Sequence, residues 1–186
     1  MSLRGLRYAD LSTDYYLMGR ASILNYRVNI SGNLFHHSIE MMLKGIVLMN
    51  TPSPEEYDSM EKEFKHKIVH NLDKLWNIFK SKHPKNNPEG YDGIITKLNN
   101  WEEVRYPSKK SVTKIAGPTK NSVVFDSSMK TELLLECSLE EMDDLFNFLW
   151  TNYIETPSYK FKDTLILTKD LYEKNNKFPI YQIKNS

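Results

Sequence analysis

Arg105 is the residue with the clearest reason to touch a ligand. The other arginines, Arg4, Arg7, Arg20 and Arg27, lie near the N-terminus, and every lysine follows Arg27. A lone guanidinium in a lysine-only stretch offers a planar donor fork for carboxylate or phosphate that an ammonium cannot copy. Beside Pro107 it is equally placed to cap the last carbonyls of a helix. His66 and His70 stand one helical turn apart, with Glu63 and Asp73 alongside, which is a spacing for metal ligands. The same ladder also describes a solvated helix face, and His-x-x-x-His alone is a weak metal motif. His36, Glu40 and Lys44 share a second face, with His37 adjacent. A carboxylate-bridged di-metal bundle would want two Glu-x-x-His pairs and two further Glu, and only Glu63 with His66 supplies such a pair. The plainer account of Glu40 and Lys44 is a surface pair worth about 0.2 to 0.5 kcal/mol. No metal and no other cofactor is expected. Gly-rich phosphate loops, Gly-x-Ser-x-Gly and His-Glu-x-x-His are all missing from the sequence. Cys137 follows the apolar run 133–135 and reads as a buried, inert thiol.

Helices must position these groups. A first is expected over residues 13–27, carrying Tyr16, Met18, Ile23 and Tyr26, with Ser31, Gly32 and Asn33 as punctuation. Phe35, Ile39, Met42, Ile46 and Met49 then recur at steps of four and three, the stripe of an amphipathic second helix. Ser53 with Glu56 forms a capping box and Pro54 suits a first helical position. The third helix carries Phe64, Ile68, Leu72, Leu75 and Phe79 and should be long. Asn87 and Pro88 repeat the cap signal before a fourth helix with Ile94, Leu98 and Trp101, closed by Pro107. Residues 108–122 hold four lysines and no acid and read as an exposed loop. Two β-rich runs, 122–125 and 132–136, suggest a small hairpin, and Ser138 with Glu141 caps a fifth helix. Phe35, Ile39, Met42, Ile46, Ile68, Leu72, Leu75, Leu98 and Trp101 are the expected core.

Composition bounds the class. A chain of 186 residues with seven glycines fits one mostly helical domain better than a turn-rich β fold. Its 25 basic and 24 acidic residues nearly cancel, so no chain-wide polycation exists and any basic site is local. One cysteine excludes an internal disulfide and a cysteine zinc cage. No apolar stretch approaches the ~18 residues of a membrane span, and the N-terminus lacks a signal-like core, so the expected location is cytoplasmic.

Several short motifs occur together in order: Tyr15-Tyr16 with Arg20-Ala21, His37-Ser-Ile-Glu40-Met-Met-Leu-Lys44-Gly45, His70-Asn-Leu-Asp-Lys-Leu75, and Val104-Arg105-Tyr106-Pro107. Their sequence and spacing over residues 12–107 resemble the HEPN family, the "higher eukaryotes and prokaryotes nucleotide-binding" domain. The resemblance implies an all-α, up-and-down antiparallel four- or five-helix bundle, into which the residues read above place a small β-hairpin after helix four. The expected organisation is one domain over 1–186, with a helical core at about 12–155, the hairpin at about 120–137 and a C-terminal extension at 156–186. Homodimerisation, a nucleotide or RNA ligand and a minimal nucleotidyltransferase as partner also follow from the resemblance. Tyr15, Tyr16 and Tyr26 are candidates for the dimer seam, since tyrosine is favoured at interfaces. The family's ribonucleases carry an Arg followed by four to six residues and a His, whereas no histidine follows His83 here. A non-catalytic binding or interaction module is therefore the expectation. The alternatives are a ribonuclease with a displaced pair such as His70 with Arg105, or a metal-dependent hydrolase using His66 and His70. Lys44, His70, Arg105 and Tyr106 match the family motifs as phosphate-binding residues with Glu40 in support. They could otherwise form an internal polar network in which Glu40 pairs with Lys44 or Arg105.

Overall fold

A computed structural model describes residues 3–24, 28–84, 88–104, 113–119, 122–127 and 135–154. Its organising element is α2 (Val28–Met49), the most apolar helix among the described residues. Phe35, Ile39, Met42, Leu43, Ile46, Val47 and Leu48 are all fully buried, so apolar side chains leave α2 in several directions. A helix buried nearly all round needs neighbours on every side. They are α1 (Leu3–Leu24), α4 (Leu72–Lys82), α5 (Asp92–Val104) and α6 (Leu139–Tyr153).

α1 runs antiparallel to α2, because Gly5 meets Met49, Ser12 meets Ser38 and Gly19 meets Phe35. Small residues set the spacing of this pair. A Cβ on Gly45 would lie 2.9 Å from the Gly5 carbonyl oxygen, and Ser12 and Ser38 each donate a hydroxyl to the other's carbonyl, at 2.7 and 2.9 Å. α1 begins well before the expected residue 13, and α2 absorbs Ser31, Gly32 and Asn33. Gly32 is there for contact, not for a turn: a Cβ at this position would sit 2.1 Å from the Trp101 ring of α5.

Ser53 caps α3 (Pro54–Glu63) by accepting the Glu56 amide, with Pro54 opening the helix as the sequence suggests. The long third helix does not form. α3 passes into a π-helical turn, Phe64–Ile68, and then a sharp reversal at Val69 and His70. α4 starts afresh at Leu72, capped by the Asn71 side chain, which accepts the Lys74 amide at 2.8 Å. α4 and α5 are antiparallel: the Leu72 amide donates to Asn99 while the Trp76 indole donates to Asp92. Lys97 to Glu141 and Tyr91 to Phe148 set α5 against α6 in the same sense. All nine residues of the expected core are buried.

Between α5 and α6 the backbone forms three antiparallel strands in sequence order, β1 (Thr113–Thr119), β2 (Ser122–Ser127) and β3 (Leu135–Ser138). β1 falls within the stretch expected as an exposed loop, so the strand region opens at Thr113, earlier than the expected 120. Strand β3 passes directly into α6 at the Ser138 cap position. The C-terminal extension from 156 lies outside the described residues. No helix among the described residues is long and apolar enough to cross a membrane.

Candidate functional site

Glu40 is the centre of the polar cluster. Its side chain is 1% exposed on α2, and four basic groups surround it. Lys44, one turn on, donates to Oε1 at 2.5 Å. On Oε2, the Nδ1 atoms of His37 and His70 donate at 3.3 and 3.1 Å, and His36 Nε2 stands 3.9 Å away. Burial alone would push the Glu40 carboxyl up. The His37 hydrogen bond, the Lys44 charge and the His70 hydrogen bond overcome it and bring the carboxyl down to about 2. Lys44 donates further to the Val69 carbonyl at 3.3 Å and lies over the Phe64 ring.

The break between α3 and α4 builds half of this site. Val69 has φ 48° and ψ −111°, and the Asn71 amide donates to the Ile68 carbonyl at 2.9 Å, which makes residues 68–71 a type II′ turn. That turn aims the Val69 carbonyl at Lys44 and the His70 ring at Glu40. His70 remains 40% exposed and His37 18% exposed, so both imidazoles reach solvent from a buried carboxylate. Tyr15 of α1 lies beside His37, with ring centroids 5.6 Å apart, and His37 meets His70 edge to face at 5.6 Å.

Glu40, Lys44 and His70 are thus brought together. Glu40 and Lys44 form a buried pair, which replaces the expected surface pair. Arg105 and Tyr106 lie outside the described residues. Leu98 is level with His36, through a Leu98 carbonyl to His36 Nδ1 contact of 2.9 Å, and Trp101 is level with Gly32. Val104 ends α5 about 9 Å further toward the start of α2, and Glu40 lies about 6 Å the other way, at a rise of about 1.5 Å per residue. His66 and His70 do not share a helical face. His66 is exposed on the π-helical turn, whereas His70 follows the reversal and turns to Glu40. Tyr16 is unavailable for a dimer seam, being fully buried and stacked on Phe146 of α6 at 4.0 Å.

His37 was legible as a neighbour of the His36, Glu40, Lys44 face and as the first residue of the His37 to Gly45 motif; the i to i+3 step to Glu40 was the available signal of their contact. A second polar centre was missed. The buried Asp143 of α6 accepts from both the Tyr16 hydroxyl and the Arg20 guanidinium, and Arg20 also donates to Tyr16 at 2.9 Å. Burial pushes Tyr16 well up and pulls Asp143 up, while Arg20 and Tyr16 draw the Asp143 carboxyl back toward ionisation. Tyr16 and Arg20 sit one turn apart, a visible spacing, but nothing local points to a partner 127 residues away from Tyr16. Set against known protein families, curated proteins and solved structures, the chain matches none of them.

Proposed function

We propose that this chain is a non-catalytic, HEPN-like module that binds a phosphate-bearing ligand, a nucleotide or an RNA strand. The observation that carries this is the pair of partly exposed imidazoles held on one buried, Lys44-neutralised carboxylate. With Nδ1 of both rings on Glu40, each Nε2 on the opposite ring edge remains for a ligand oxygen. Tyr15 beside His37 supplies an aromatic face for a base. The antiparallel arrangement of α1 with α2, α2 with α5, and α5 with α6 supports the bundle that the motifs imply. A second copy of the chain and a minimal nucleotidyltransferase are the proposed partners.

Fluorescence anisotropy with a labelled single-stranded oligoribonucleotide, beside a labelled mononucleotide, tests the ligand. Arg105→Lys keeps the charge and loses the fork, so RNA affinity should fall about tenfold, about 1.4 kcal/mol, with the melting temperature unchanged. Unchanged RNA binding with a lowered melting temperature would discard the ligand site in favour of a structural arginine. RNA cleavage by the wild type that disappears in Arg105→Lys would move the protein to the enzymes. Light scattering at tens of micromolar should return twice the 21.9 kDa chain mass.

A further inference from the structure

The arrangement around Glu40 Oε2 has a property that phosphate binding does not use. One ring nitrogen from His36, one from His37 and a Glu40 carboxylate oxygen all lie within 4.8 Å of one another, inside the protein. His37 Nδ1 is 3.3 Å and His36 Nε2 3.9 Å from Oε2. A tetrahedral ion with bonds of about 2.0 to 2.1 Å holds its ligand atoms about 3.3 Å apart, so the two separations to Oε2 are close to that spacing, and the third lies within the 4.8 Å bound. We propose that His36, His37 and Glu40 form a binding site for a divalent transition-metal ion of the zinc class, with His70 as the nearest further donor.

Three features support the assignment. The first is the outer contact of His36, whose Nδ1 lies 2.9 Å from the Leu98 carbonyl. A carbonyl only accepts, so Nδ1 carries the proton and Nε2 presents its lone pair toward Glu40, the arrangement that metal-bound histidines show. Secondly, the two carboxylate oxygens are divided. Lys44 occupies Oε1 and is also held by the Val69 carbonyl and the Phe64 ring, while the histidines gather on Oε2. The ion would replace the His37 proton between Nδ1 and Oε2, with that proton carried on Nε2 instead. The third feature is the donor set. Two neutral imidazoles and one carboxylate suit zinc, cobalt or nickel, whereas magnesium and calcium take mainly oxygen ligands. Access runs past His37 and His70, the partly exposed members, since His36 and Glu40 are closed off. His66 has no part in the site.

The test uses the full chain, stripped with a chelator and titrated with zinc by calorimetry and with cobalt by visible absorption. One equivalent of zinc should bind with a rise in melting temperature, and cobalt should give the intense bands of a tetrahedral ion. His37→Ala, at a partly exposed position, should weaken zinc binding at least tenfold, and His66→Ala should leave it unchanged. Absence of saturable binding, survival of binding in His37→Ala, or its loss in His66→Ala would each overturn the site. The proposal stands independently of the RNA reading: zinc binding in a protein that ignores RNA leaves the metal site intact, and RNA binding without zinc removes it alone.

Discussion

Val69 occupies the first central position of a type II′ turn with φ 48°, where glycine is at ease and a β-branched residue is strained. Val69 is 47% exposed, and what the site uses is its carbonyl, the acceptor for Lys44. Strain of this kind costs about 1 to 3 kcal/mol, and glycine adds only about 0.4 to 1 kcal/mol of unfolded-state entropy. Val69→Gly is therefore expected to raise stability by about 1 kcal/mol in a urea melt, with the Lys44 contact kept. A loss of stability would mean that the turn does not hold the valine in this conformation. Nothing in the residue type announces this turn, because valine is among the least turn-like residues. Glu40 and Lys44, by contrast, were legible as a pair from their spacing. Their burial was not, since it depends on how many neighbours crowd α2, which spacing within one helix does not report.

The helices themselves were largely legible where sequence and packing agree. Ser53 and Pro54 mark the start of α3 because a cap acts within one turn. The apolar stripe of α2 marks its core face for the same local reason. The errors fall where a residue's usual local meaning yields to a contact. Gly32 would ordinarily break a helix, and here it lets α2 approach Trp101. The apolar period running from Phe64 to Phe79 suggests one helix, and the cap at Asn71 with the Val69 reversal divides it. The α4 to α5 contact carries a pH signature. The Trp76 indole donates to Asp92 at 2.6 Å and Lys80 at 2.9 Å, and these hold the Asp92 carboxyl below its ordinary 3.8. A carboxyl lowered by folding contributes stability above its unfolded value and loses that contribution as pH falls through the lower folded one. The fluorescence difference between wild type and Trp76→Phe should accordingly titrate with a midpoint below pH 3.8. A midpoint at or above that value would show that the contact is not maintained in solution.

Across the whole molecule, the Tyr16, Arg20 and Asp143 cluster ties α1 to α6. Arg20 and Asp143 are each 2% exposed, so removing the carboxylate leaves a guanidinium inside the protein without its counter-charge. Asp143→Asn should cost about 3 to 5 kcal/mol in chemical denaturation, and Arg20→Met with Asp143→Leu together should recover most of it. If the single substitution costs under about 1 kcal/mol, the pair is not buried as described. No sequence pattern could foretell this contact, because pairing across the chain is decided by the assembled fold and not by periodicity. The separation has a consequence for how the protein is made. At about 5 to 20 residues per second, a ribosome takes about 6 to 25 s to travel the 127 residues from Tyr16 to Asp143. Once Met49 has been added, α1 and α2 are both present with their glycine-spaced seam, while the counter-charge of Arg20 is not yet synthesised. Until α6 emerges, Tyr16 and Arg20 lack the Phe146 and Asp143 contacts that cover and neutralise them in the folded chain, so the length of that interval is set by translation speed.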